Sequence, residues 1–422
     1  MADEKEFLRL WIDAEYLWYS EVPANLKPED YKTPIDYFNV LKTPLLTASG
    51  KPKDKFHFTY PSAVWDALNA QGTELGYGVT WQRNADGGVP RTWLATTVEP
   101  GSPADKAGIT RGDALVAVDG VDFINATSAA DVALINAGLF PVSGGENHRL
   151  VISSKGARTD LQLTSASVNI VPVKYTQTID TPTGKVGYLA FVNHNQASES
   201  LLMDAIATLK TAGVSDLVLD LRYNGGGLLT IADELAYMIA GPGPTTGKIF
   251  EQSRYNDKQT PVAPILFRPT AYGFLKRAGE ALPYLGLKRV TVLTTAGTCS
   301  ASESIINSLR GVDVEVNLIG GTTCGKPYAF TPVPNCGTTY FAINFQGTNN
   351  KGFGDYPDGF TPACSVADDL GHAVGDPAEG LLSAALNYRA SGRCAASERT
   401  KVTPMVLVRP PATEISVYSP RR

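Results

Sequence analysis

Residues 217–240 read LVLDLRYNGGGLLTIADELAYMIA. Leu217 to Leu221 make a short apolar run, the signature of a strand buried on both faces. Gly225, Gly226 and Gly227 follow, and three glycines let the backbone turn sharply and approach a ligand closely. From Leu228 the apolar residues fall at helical spacing, which predicts a helix over 228–240. The same grammar recurs on either side. GKVGYLAFV (184–192) predicts a strand before a helix at 198–212, with Leu201, Leu202, Ala205, Ile206 and Leu209 on one face. RVTVLTT (289–295) leads into a helix at 301–310, and VEVNLIG (314–320) follows as a further strand. Strands alternating with helices predict an α/β region over about 170–395, with a mainly parallel sheet covered on both faces.

Upstream the texture differs. Residues 4–20 place Phe7, Leu8, Trp11, Ala14, Leu17 and Trp18 at helical spacing, and Pro23, Pro28 and Pro34 punctuate a loop-rich stretch before a second short helix at 35–42. This small unit, residues 1–70, must pack on something larger. From Gly72 short strand-like runs alternate with turns: GYGVTW, TWLATTV, DALVAVDG and HRLVISS. The tail, 397–422, is rich in Pro, Ser and Arg and is expected at the surface.

The chain has 422 residues, 43% of them hydrophobic and 19% charged, enough to bury a substantial core. A net charge of −5 argues against a nucleic-acid binder, which would carry a basic face. No apolar run reaches the roughly 18 residues of a membrane helix. MADEKEF at the start lacks the basic and apolar regions of a signal peptide. Five cysteines, Cys299, Cys324, Cys336, Cys364 and Cys394, lie in the C-terminal part with no metal-type spacing. They favour an oxidising compartment and leave at least one thiol unpaired.

Three stretches can carry chemistry. In TCSASE (298–303), Ser300 follows a buried strand and opens a helix, where unpaired N–H groups can stabilise an oxyanion. The same letters fit a plain capping box, Ser300 with Glu303 three residues on. GGTTCGKP (320–327) nearly fits the phosphate-binding pattern G-x-x-x-x-G-K-[ST], but Pro327 has no hydroxyl for a metal. The turn DLRYNGGG (220–227) offers peptide N–H groups to a developing negative charge, or is simply a tight strand-to-helix connection.

VEPGSPADKAGITRGDALVAVDG (98–120) resembles a PDZ domain, and the resemblance covers residues 71–168. It implies a β-sandwich-like module in which Gly76, Tyr77, Gly78 and Val79 form the loop that receives a peptide's terminal carboxylate. A PDZ module that has lost its ligand and serves as a spacer is the alternative. LVLDLRYNGGG, then SASE (300–303), then Gly325-Lys326, in this order, resemble the signature set of the carboxyl-terminal processing proteases, the tricorn-like serine peptidases. Lys326 stands 26 positions after Ser300, a spacing that suits the family. AEYLWYSEVP (14–23) looks like the N-terminal helix of its bacterial branch, and residues 354–386 resemble its C-terminal segment.

The resemblance implies a tricorn/ClpP-crotonase-like α/β protease core at 169–396 with an inserted PDZ domain and a small N-terminal helical unit. Ser300 would be the nucleophile, Lys326 the general base, and the N–H groups of Ala301 and Gly226 the oxyanion hole, with no metal or cofactor. A lysine base must be uncharged, and burial among apolar neighbours such as Pro327, Tyr328, Ala329 and Phe330 disfavours the cation. Two positions depart from the family. Phe330 stands where a glutamine often orients the lysine, and Gly225 replaces the proline usual in the glycine turn. A Ser–Lys pair that reacts must approach within about 3 Å. This brings Cys299 and Cys324 together and suggests a disulfide between them. Substrates would be proteins or peptides recognised by their C-termini, with no nucleic acid and no membrane span. The expected location is periplasmic or extracellular, after removal of a signal, with or without a lipid anchor. Two other readings stay open: an inactive peptide- or ligand-binding member of the fold, and a histidine-based triad, for which His194 is the candidate.

Overall fold

The computed structural model describes residues 2–394 and 405–408. The tail expected at 397–422 therefore lies outside the described residues except for 405–408. A six-stranded sheet forms the centre, ordered Val173–Thr181, Gly184–Phe191, Asp216–Asp220, Arg289–Thr294, Glu315–Gly320 and Cys364–Ser365. Its first pairing is antiparallel and the other four are parallel. Alternation along Gly184–Phe191 shows why both faces are covered, because successive side chains point to opposite sides. Leu189 and Phe191 pack with the helices Ser198–Thr211, Leu229–Ala240 and Ala301–Gly311. Val186, Tyr188 and Ala190 pack with Leu381, Leu382, Ala384 and Ala385 of the helix Gly380–Ser391 on the other side.

Among the described strands, parallel pairing is confined to this sheet, with one isolated parallel bridge, His194 with Gly227, beyond its carboxyl end. A four-stranded antiparallel sheet joins Ile265–Leu266, Ile249–Tyr255, Phe345–Thr348 and Tyr328–Ala329. A three-stranded antiparallel sheet joins Phe58–Pro61, Thr338–Phe341 and Val333–Asn335. The expectation of a mainly parallel sheet thus applies to the centre only, and antiparallel ladders make up the remaining sheets. The N-terminal segment reaches the core through Phe58–Pro61, a strand that short-range pattern did not predict. The helix Ala2–Glu15 buries Leu8, Trp11 and Ile12, whereas Phe7, placed on the inner stripe by its spacing, is 37% exposed. The buried face lies one position along from Phe7.

Residues 73–169 build a two-stranded sheet, Thr73–Gly76 with Ala166–Asn169, and the larger part of a separate antiparallel sheet around Trp81, Trp93, Phe123, Leu115 and Ile152, closed by the helix Ala129–Leu139. Its Arg111-Gly112-Asp113 turn docks on the core. Arg111 donates to Tyr223 Oη (2.6 Å), Asp368 Oδ1 (2.9 Å), Thr96 O (2.9 Å), Asp369 O (3.1 Å) and His372 O (3.1 Å). Asp368 is shared with the buried Arg222, which also grips Glu379 at 2.7 and 2.9 Å. The PDZ-like module is therefore wired to the residues that open the 220–227 turn.

Candidate active site

Two turns at the carboxyl end of the central sheet are stitched together. Asn224 O accepts from Cys299 N (3.1 Å) and from Ser302 Oγ (3.1 Å). Thr298 Oγ1 donates to Leu221 O at 2.8 Å. Ser302 is fully buried in this role, which leaves Ser300 as the partly exposed hydroxyl at the start of the helix. Ser300 adopts φ +57° and ψ −119°. A non-glycine residue held there costs on the order of 1–3 kcal/mol, and such strain needs surroundings that enforce it.

Glu303 supplies that enforcement. Its Oε2 accepts from Ser300 N (3.0 Å) and Lys326 N (2.8 Å), and its Oε1 from Gly325 N (2.9 Å) and Thr323 Oγ1 (2.5 Å). Burial pushes the Glu303 carboxyl up, and these donors oppose the rise. Glu303 is thus the capping-box partner suggested by its spacing and, in addition, the acceptor around which the 323–326 loop folds. The amides that a nucleotide-binding loop would turn to phosphate are here turned to a carboxylate. Cys324 N donates to Thr298 O at 3.0 Å as well.

Cys299 and Cys324 are disulfide-bonded, with Cα atoms 5.2 Å apart. The bond ties the residue before Ser300 to the loop that carries Lys326. The two sulfurs and Glu303 lie together, but sulfurs joined in a disulfide do not serve as thiolate ligands, so this is no metal centre. A second bond, Cys364–Cys394, secures the sheet edge to the segment just past the helix Gly380–Ser391, and Cys336 is free and exposed.

Lys326 is 8% exposed. Its Nζ lies 3.8 Å from the centre of the Phe330 ring and 5.2 Å from that of Phe56. Phe330 occupies the position of the missing glutamine, and it presents a ring face to the amine. Phe58 and Phe341 hold that ring in edge contacts at 5.4 and 5.1 Å. Phe56 comes from the N-terminal unit, where buried Asp54 accepts from Phe56 N (2.9 Å) and Tyr16 Oη (2.7 Å). Lys55 Nζ, beside it, donates to Cys324 O at 2.8 Å. Sequence reading missed this N-terminal wall over the lysine, since nothing local in KDKFHF signals it.

Gly226 sits against the serine. A Cβ built there would lie 2.8 Å from Ser300 Cβ and 3.0 Å from Ala301 N, so only glycine fits. Its N–H donates to Asn224 Oδ1 at 3.0 Å. Ala301 is the first residue of the helix, where the N–H has no intrahelical acceptor. His194 is fully buried and 2.9 Å from Asn224 Oδ1 through Nδ1, and burial lowers its pKa to about 4. It braces the glycine turn, with its N–H donating to Gly226 O at 3.2 Å. A neutral histidine used this way buttresses Asn224, and among the described residues no hydrogen bond links it to Ser300.

In the PDZ-like module, Tyr77 Oη donates to Gly138 O at 2.8 Å, tying the predicted carboxylate loop to the helix Ala129–Leu139. Gly78 has φ +76°, and a Cβ there would meet Ser102 at 2.4 Å. Among the described residues no acceptor takes the Tyr77 or Gly78 amide. Val79 starts the strand Val79–Asn84 and packs against the core cluster that includes Ile135 and Leu139 of the same helix.

Residues 185–346 match the model of peptidase family S41, residues 94–137 the PDZ domain, and residues 3–60 the peptidase S41 N-terminal domain. The chloroplastic C-terminal processing peptidase of Tetradesmus obliquus is 32% identical over 265 residues, 57% of this chain and 55% of that protein. The chloroplastic carboxyl-terminal-processing peptidase 2 of Arabidopsis thaliana is 28% identical over 253 residues, 54% of this chain and 46% of that one. The chain spans about half the length of these curated relatives. A solved Bacteroides fragilis structure assigned to the S41 proteases superposes with a TM-score of 0.69 at 25% identity, covering 92% of this chain and 97% of that one. The photosystem II D1 C-terminal processing protease shares the fold, with a TM-score of 0.51 at 21% identity over 87% of this chain and 93% of that one.

Proposed function

From a chain that carries the N-terminal and peptidase domains of family S41 with a PDZ domain between them, we propose a serine endopeptidase that works through Ser300 and Lys326. One observation carries the reading. A strained serine at a helix N-terminus is clamped, through Glu303 and the Cys299–Cys324 bond, to the loop of a buried lysine. Uncharged Lys326 takes the Ser300 proton as Oγ attacks the scissile carbonyl, and the ammonium so formed returns a proton to the leaving amine. Ala301 N–H and Gly226 N–H face the oxyanion, which requires Gly226 N–H to leave Asn224 Oδ1. Water then hydrolyses the acyl-enzyme.

Substrate peptides join the edge of strand Val79–Asn84 with the terminal carboxylate on the amides of 76–79. Two disulfides among five cysteines fit export to the periplasm or beyond. Ser300→Ala and Lys326→Ala should each abolish casein cleavage with the fold intact, and Ser302→Ala should be milder. A Ser302→Ala variant that is dead beside an active Ser300→Ala would refute the assignment. Amidation of a peptide's C-terminus should weaken its binding, and equal affinity for acid and amide would show that the PDZ domain reads something else.

A further inference from the structure

The edge of the PDZ domain on which a peptide would add a strand is occupied by the chain's own tail. Met405–Leu407 pairs antiparallel with Val79–Asn84, in the register Met405 with Asn84, Val406 with Arg83 and Leu407 with Gln82. Val408 N then donates to Trp81 O at 2.8 Å. The segment therefore runs towards Val79 and the loop 76–79. A peptide whose carboxylate sits on that loop while its backbone pairs antiparallel with the same strand must run in the same direction. Val408 packs against the PDZ core. Leu407 reaches the peptidase side. A Cβ built on Gly297 would be 2.9 Å from Leu407 Cδ1, and Gly297 lies in the turn just before Ser300. One short strand thus bridges the peptide-binding edge and the turn that sets the nucleophile.

We propose that residues 405–408 are a ligand in cis for this PDZ domain, so that a peptide substrate must displace them to bind. The regulatory meaning rests on the peptidase reading above, and the competition itself does not. A tethered segment competes at an effective concentration of about 1 mM. Against a free-peptide Kd of about 100 µM, occupancy by the tether weakens binding of an external peptide about tenfold.

The test uses the full chain in a Ser300→Ala background, so that nothing is cut and binding is read independently of catalysis. The probe is a fluorescent synthetic peptide of residues 402–411, VTPMVLVRPP. Val408→Pro removes the donor to Trp81 O, and Leu407→Asp disrupts the contact with Gly297 by a different route. Each is expected to tighten peptide binding about tenfold, and to speed amide exchange across 79–84 when no peptide is present. Equal affinity for the parent and both variants, or no binding of the peptide to the variants, would overturn the proposal. The acid-against-amide comparison separately tests whether the loop 76–79 reads a carboxylate.

Discussion

Glu303→Gln isolates the clamp between Ser300 and the loop of Lys326, the proposed nucleophile and base. The carboxylate accepts four hydrogen bonds, two on each oxygen. An amide has one oxygen, so one side must present NH2. Facing Ser300 and Lys326, that NH2 would strand two backbone donors. Facing Thr323 and Gly325 it strands one, because the Thr323 hydroxyl can rotate and accept. The second orientation should prevail. It leaves one buried N–H unsatisfied, at about 1–3 kcal/mol, and weakens two charge-assisted bonds by about 0.5–1.5 kcal/mol each. Relief of the burial that raises the Glu303 carboxyl offsets part of this. The net loss should be a few kcal/mol, felt in the 323–326 loop, while the disulfide and the core keep the fold. Displacing Lys326 by about 1 Å should lower kcat about 100-fold. The assay is the rate of fluorophosphonate labelling at Ser300 beside cleavage of fluorescein-labelled casein, with and without reductant. Labelling and cleavage should both fall, and fall further once the Cys299–Cys324 bond is reduced, because two ties on one loop are not independent. Wild-type rates for Glu303→Gln under reducing conditions would refute the clamp.

Three further outcomes follow from the same geometry. Phe330→Leu removes the ring face 3.8 Å from Lys326 Nζ, which would attract the ammonium formed when, as proposed, the lysine takes the serine proton. The maximal fluorophosphonate labelling rate should fall about tenfold with reagent affinity unchanged and return in Phe330→Tyr, and no change in Phe330→Leu would reject the role. Arg111→Ala deletes five hydrogen bonds between the PDZ domain's docking turn and its surroundings, and loss of such a partly buried pair costs about 3–5 kcal/mol. Amide exchange over 220–227 should rise, and an unchanged pattern would show that the domains do not communicate there. Burial raises the Glu251 carboxyl from 4.5 to about 7, so ionising it opposes folding. Its contribution is fully present below about pH 4 and is lost as pH rises through 7, a difference of roughly 3 kcal/mol. Glu251→Gln should flatten the fall of Tm between pH 5 and pH 8, and a fall as steep as in the parent would contradict this.

The four inner strands of the central sheet were legible because they are short, mostly apolar runs that alternate with helical spacing, a signal that depends on neighbours in sequence, whereas the two outer strands, Val173–Thr181 and Cys364–Ser365, lack such runs and were not read. Ser300, Lys326 and the glycine turn could be named from their order. What escaped the sequence was what distant segments bring together. Phe58–Pro61 pairs with Thr338–Phe341, and no local pattern in either predicts the partner. That pairing carries the aromatic wall of Phe58 and Phe341 around Phe330, and places Phe56 over the lysine. Glu303 was visible only as a capping residue, since its reach to Gly325 and Lys326 depends on the loop folding back. Met405–Leu407 reads as three apolar residues in a polar tail, and only the open edge of Val79–Asn84 gives them a function.

The most direct measurement is fluorophosphonate labelling of the full chain followed by peptide mapping in a mass spectrometer. A single adduct at Ser300, abolished in Lys326→Ala, is the expected result. No adduct at Ser300, or labelling that survives unchanged in Lys326→Ala, would contradict a serine nucleophile activated by that lysine.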